Sequence, residues 1–190
     1  MTRTTDIRVI KTQNALLTAL ESLLMNKKLS CISVTELCSA ASINRNTFYY
    51  HYNNIYELID DNKKALAAEL GEVMDVSQTR DSSTIIEICK VLKRHPHLLY
   101  ILISPNCELN YFDDIFGIAS EKARIFLDKK KALTSTRELM ACSFCNAGLQ
   151  AVLREWITNG MVEDPEEIAD IIWEASKNGV FSILFPSDTI

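Results

Sequence analysis

Glycine and proline are scarce in this chain, with 5 and 4 residues among 190. Hairpin-rich folds lean on such turn formers, so the shortage favours long helices. Long apolar runs are also missing. The longest, His97–Ile103, falls far short of the roughly 20 residues that span a bilayer. No apolar signal segment stands at the N-terminus, so a cytoplasmic protein without membrane contact is expected. The six cysteines (31, 38, 89, 107, 142 and 145) show no disulfide framework. Cys142 and Cys145 make a CxxC without the second ligand pair a metal site would want. His95 and His97 flank Pro96 and read as water-exposed turn residues. No nucleophile–base pair, glycine-rich phosphate loop or metal-ligand spacing occurs, which argues against an enzyme, a cofactor or a metal.

What is present is concentrated between Ser33 and Leu58, SVTELCSAASINRNTFYYHYNNIYEL. Ser33 and Glu36 have the spacing of a capping box. Leu37, Ala40 and Ala41 give the helix that follows a narrow apolar strip. Ser42-Ile43 interrupts it, with Ile43 as a plug in the turn. Asn44 is a good N-cap for a second short helix. There Phe48 and Tyr52, four apart, hold one face to the core. Arg45, Asn46, Thr47, Tyr49 and Tyr50 are left pointing outward. Asn54 and Glu57 start a third helix. The outward set suits a DNA major groove. Arg45 can meet guanine and Asn46 adenine through paired hydrogen bonds, and Tyr50 can pack on a thymine methyl or a sugar. Thr47, Tyr49 and His51 carry donors for phosphate oxygens.

Charge is distributed accordingly. The formal net charge is −5, but residues 1–60 carry +1 and residues 61–190 carry −6. Arg3, Arg8 and Lys11 can add phosphate contacts from the first helix.

The segment Ala41-Ser42-Ile43-Asn44-Arg45-Asn46-Thr47-Phe48-Tyr49-Tyr50-His51-Tyr52, with Glu57-Leu58 after it, resembles the DNA-binding domain of the TetR family of bacterial transcriptional regulators. The resemblance implies phosphate contacts at Thr47, Tyr49 and His51, and base reading at Arg45, Asn46 and Tyr50. It also implies that Ser33 and Thr35 touch the backbone, and it places Asn44 on the same surface. One position departs: Ile55 stands where the family usually has a phosphate-binding Lys. Losing that contact should lower the salt dependence of binding by about one unit of slope.

Helical signals continue along the chain, and no strand or repeat competes with them. They fall over about 6–26 (Leu16, Leu20, Leu23 and Leu24 on one side), from 55 past 70, over 84–94 with a Thr84/Glu87 cap pair, and over 109–128. A Ser135/Glu138 capping box opens a helix reaching about 159, where Gly160 suits the C-cap. A last helix opens at Asp164-Pro165-Glu166-Glu167. The expected architecture is all-α with about nine helices: a helix-turn-helix domain over 1–53 and a helical regulatory and dimerisation domain over 54–190. One recognition helix reads too few base pairs to select a genomic site, so a homodimer on a palindromic double-stranded operator is expected. The interface is expected on Cys145, Leu149, Val152, Trp156, Ile168, Ile172 and Ala175, within Glu138–Trp156 and Ile168–Leu184. The resemblance further implies a small-molecule effector in a cavity, with Tyr100, Phe112, Phe116 and Phe144 as candidate walls. The acidic excess favours a cationic or neutral apolar effector. A repressor released by such a ligand is the first reading. An interaction protein of the same fold, recruiting a protein partner, is the second.

Overall fold

The computed structural model describes residues 7–76, 82–108, 112, 114–115 and 135–177. Among these the chain is helical throughout, with eight α-helices: α1 Ile7–Leu24, α2 Val34–Ala40, α3 Arg45–His51, α4 Ile55–Val76, α5 Ser83–Lys93, α6 Pro96–Ile103, α7 Thr136–Thr158 and α8 Pro165–Lys177. Short 3-10 turns stand at Leu29–Cys31 and Pro105–Cys107. Most of the helix expected over 109–128 lies outside the described residues, as do Arg3, Phe116 and Leu184. Phe112, Asp114 and Ile115 within it are helical.

The chain divides into two compact units, one from Met1–Ala65 with His95–Phe112, the other from Leu66–Arg94 with Asp113–Ile190. In the first, α1 buries Leu16, Leu17, Leu20 and Leu24. Leu17 therefore takes the core place expected for Leu23, which is half-buried. Helix α1 packs on α6 and on α2; its contact with α6 is the larger. Helix α6 is apolar nearly all round, and it buries Leu98, Leu99, Ile101 and Leu102; such a helix is stable only when covered on most sides. Polar contacts tie the two together at their ends. Asn106 Nδ2 donates to the Leu24 carbonyl at 2.8 Å, satisfying one of the acceptors left free at a helix C-terminus. His97 Nδ1 lies 2.6 Å from Glu21 Oε2, so His97 is a partner of α1 and not the free turn residue expected. Glu108 accepts from Lys28 Nζ and from Ser30 Oγ, both at 2.8 Å, and these bonds hold its carboxyl below the usual carboxylate range.

Helix α4 is shared: its first half belongs to the first unit and Leu66 onward to the second. Gly71 lies inside it without ending it.

In the second unit α8 packs on both α5 and α7. The core consists of Cys89, Val91 and Leu92 from α5, Leu153, Trp156 and Ile157 from α7, and Ile168, Ala169 and Ile172 from α8. The Ser135/Glu138 capping box forms as expected. Glu138 Oε2 accepts from the Ser135 N–H at 2.8 Å, and Ser135 Oγ accepts from the Glu138 N–H at 3.4 Å. The Thr84/Glu87 pair does not cap α5. That helix starts at Ser83, and the Glu87 carboxylate accepts from Lys90 at 2.9 Å instead. Gly160 (φ 90°) ends α7 as expected, followed by Met161 at φ 52°.

Candidate nucleic-acid interface

Helix α3 has seven residues and cannot persist alone, since helices shorter than about 12 residues are marginal in water. Three devices hold it. Asn44 Oδ1 accepts from the Asn46 N–H at 2.8 Å, capping the N-terminus. Phe48 is fully buried and Tyr52 is 8% exposed, with ring centroids 5.6 Å apart. Burial, more than any nearby charge, pushes the Tyr52 phenol up.

Helix α2 is capped by Ser33 Oγ, which accepts from the Glu36 N–H at 3.1 Å. The reciprocal half of the expected capping box is absent there, because the Glu36 carboxylate pairs with Lys27. Between the helices the backbone turns at Ser42, whose φ is 56°. The Ile43 N–H then donates back to the Cys38 carbonyl at 2.9 Å. A left-handed residue just past a helix end, with this back-bond, is a common way to stop a helix and redirect the chain. Ile43 is half-buried in that turn.

The consequence is a sharp division of α3. Arg45, Asn46 and Thr47 are exposed, with Tyr49 48% and Tyr50 84% exposed. His51 is half-buried and meets the Tyr50 ring edge-on at 4.9 Å. Ser33, Thr35 and Asn44 are exposed alongside. Ser33 and Asn44 use an oxygen to accept their caps, so the Ser33 hydroxyl hydrogen and the Asn44 amide hydrogens remain as donors. All nine residues singled out from the sequence therefore fall on or beside one short helix-turn-helix. Arg45 is the cationic side chain of that face. Its charge also reaches Cys38, where it opposes the larger effect of burial, which pushes that thiol up. Asn54 Oδ1 accepts from the Glu57 N–H at 3.0 Å, and the Glu57 carboxylate reaches back to Asn53. Ile55, beside that cap, is 4% exposed: its side chain belongs to the core, which explains why an apolar residue is accommodated there.

Of the candidate effector walls, Phe116 lies outside the described residues. Tyr100 is half-buried in α6 and Phe112 is 1% exposed, both in the first unit. Phe144 lies on α7 of the second unit and is 74% exposed. Of the residues assigned to a dimer interface, Trp156, Ile168 and Ile172 are buried at 2%, 5% and 5% exposure within the single chain. Cys145, Leu149 and Val152 are half-buried, and Cys145 Sγ lies 3.5 Å from Ser176 Oγ of α8. That seam joins α7 to its own neighbour α8, and only Ala175 of the set is exposed. The CxxC thus reads as part of this seam, and burial pushes the Cys142 thiol up.

The opposite side of α7 carries a second apolar surface, outside the expected interface residues. Met140 (68% exposed) and Phe144 lie there with Ala147, Gly148 and Ala151. A Cβ added at Gly148 would meet nothing within 4 Å. The 4-3-4 spacing of Met140, Phe144, Ala147 and Ala151 was visible in the sequence as a second apolar stripe. Leu139 (44%) beside it and Ile171 (49%) on α8 are exposed as well.

Fold and surface together define an all-helical helix-turn-helix protein with a second helical unit appended. Residues 82–178, half of the chain, match the TetR-family model described as "Transcriptional regulator C-terminal region". The chain belongs to the TetR family of transcriptional regulators. No curated protein matches it, but solved structures do. One is the dihydroxyacetone kinase operon activator DhaS, at 24% identity over 89% of this chain and 96% of that one, with a TM-score of 0.57. A second is a TetR-family regulator from Syntrophomonas wolfei, at 13% identity over 89% and 94%, with a TM-score of 0.62. NalD, the secondary repressor of the MexAB-OprM multidrug efflux pump in Pseudomonas aeruginosa, matches at 18% identity over 90% and 96%, with a TM-score of 0.61. The expected all-helical, TetR-like fold is borne out, with eight helices among the described residues in place of about nine.

Proposed function

We propose that this chain is a cytoplasmic, homodimeric repressor that holds a palindromic operator through two copies of α3 and releases it when a small molecule binds the helical regulatory domain over 54–190. The observation that carries the DNA-binding part is the division of α3. Phe48 and Tyr52 anchor one side while Arg45, Asn46, Thr47, Tyr49 and Tyr50 stand in solvent, a polar-aromatic face suited to base edges and phosphates. Ser33, Thr35, Asn44 and His51 complete the contact surface. With Ile55 buried, α4 brings no lysine from that position to the backbone, so on this surface phosphate binding rests on the donors of Ser33, Thr35, Thr47, Tyr49 and His51, while Arg45 is kept for base reading.

Dimerisation is supported by the exposed stripe of α7. Met140 and Phe144 beside Ala147, Gly148 and Ala151 offer large side chains next to a shallow, small-residue surface. Exposed apolar patches of this kind mark interaction sites, and small residues let two helices approach closely. We therefore place the interface on this face and on Ala175 and Ile171, with Trp156, Ile168 and Ile172 beneath it as supporting core. Ligand control is supported by α4, one continuous helix whose ends belong to different units. A ligand that favours one arrangement of the second unit biases the helix that begins beside α3. NalD, described as a repressor linked to a multidrug efflux pump, is consistent with this reading.

The test is selection from a pool of duplexes with randomised cores, followed by binding titrations on the enriched sequence. A two-fold symmetric site bound by a dimer is expected. No enrichment at low salt, or a monomer by analytical ultracentrifugation at micromolar concentration, defeats the reading.

A further inference from the structure

Within α3 the Arg45 guanidinium carbon lies over the Tyr49 ring, 5.9 Å from its centroid. The two residues are four apart, the spacing at which helical side chains meet. The Tyr49 ring is itself held. It meets the ring of Phe48 edge-on, with centroids 5.6 Å apart and planes at 88°, and Phe48 is fully buried. A rigid path therefore runs from the core through Phe48 and Tyr49 to Arg45. Tyr50, one residue on, stands 84% exposed while Tyr49 is 48% exposed.

A free arginine side chain must give up considerable rotamer freedom to place its planar fork on two acceptors. A ring beneath the guanidinium removes part of that freedom beforehand and leaves the N–H groups at the edge of the plane to donate. We infer that Tyr49 is a positioning residue for Arg45, acting through its ring to set base discrimination, in addition to any phosphate contact by its hydroxyl. This rests on α3 being the DNA-facing helix. The two roles of Tyr49 have different signatures. A hydroxyl–phosphate bond strengthens binding to every sequence alike, whereas a ring that orients Arg45 acts only at the base pair Arg45 reads.

Two substitutions separate them. Tyr49→Phe keeps the ring, and Tyr49→Leu removes it while keeping an apolar helix former. The probe is the duplex enriched by the wild-type protein from a randomised pool, with a panel of its single base-pair variants. Arg45→Ala identifies the base pair concerned. Tyr49→Phe should keep discrimination there within about twofold. Tyr49→Leu should lose about two- to fivefold at that base pair alone, the size of an exposed cation–π contact. In the Arg45→Ala background Tyr49→Leu should change discrimination no further. Thermal melts establish that each variant folds. Unchanged discrimination in Tyr49→Leu, or an equal loss in Tyr49→Phe, overturns the inference while leaving DNA binding by α3 intact. Failure of the wild-type protein to enrich any sequence overturns both.

Discussion

Helices α3 and α7 each show solvent a face rich in large side chains, yet the two faces are built oppositely. On α3 the exposed groups are polar or aromatic with polar tips, and the helix is a seven-residue piece held by a cap and a buried ring. On α7 they are Met140 and Phe144 beside small residues, on a 23-residue helix with a full capping box. The first face can remain wet until a polyanion arrives. The second favours being covered at once. A short helix with a polar face needs a rigid mount, whereas a long helix with an apolar face needs a partner.

The contrast can be broken most severely at the mount. Phe48→Ala removes the buried ring beneath α3 and should cost about 3–5 kcal/mol. Chemical denaturation should show the loss, and DNA binding should disappear with it. On the other helix pair, inside and outside separate cleanly. Ile172→Ala, in the core beneath the proposed interface, should cost about 2–5 kcal/mol of stability and weaken association less than a change on the exposed stripe wherever the protein remains folded. Phe144→Glu, at 74% exposure, should leave the far-ultraviolet spectrum unchanged. It should weaken the dimer by about 2 kcal/mol or more, as a central interface aromatic does. Sedimentation that is unchanged in Phe144→Glu would move the interface off this stripe. Arg45→Ala should cost about 1–3 kcal/mol and relax preference at one base pair. A uniform loss over all sequences would reassign Arg45 to phosphate.

The same contrast explains what could be read from the chain beforehand. Around α3 every local signal agreed: Asn44 as cap, Phe48 and Tyr52 four apart, and an outward remainder, so the face was legible residue by residue. On α7 the helix and its caps were legible, but its facing was not. Cys145, Leu149, Val152 and Trp156 make one apolar row and Met140, Phe144, Ala147 and Ala151 another. Periodicity finds both rows and says nothing about which one the chain covers itself. The union of α6 with α1 was illegible for a different reason. It joins residues about 80 positions apart, through contacts such as Asn106 to Leu24, and no local pattern encodes it. Ile55 read as a missing phosphate contact, because sequence shows what a position lacks before burial shows what it does.

The finest adjustment lies in the turn that aims α3. Ser42 holds φ at 56°, a left-handed conformation that costs a side-chain-bearing residue roughly 1–2 kcal/mol. The cost is borne because the turn must both stop α2 and send the chain into the Asn44 cap within three residues. Ser42→Gly relieves the crowding at Cβ but gives the unfolded chain more freedom, so the two effects partly cancel. A net gain of about 0.5–1 kcal/mol in stability is expected, with DNA affinity unchanged because the exposed face of α3 is untouched. Ser42→Val tests the opposite sense: a branched side chain at that φ should destabilise the turn. If the left-handed turn is what aims α3, this variant should lose DNA affinity before it loses helix content, as seen by titration alongside circular dichroism.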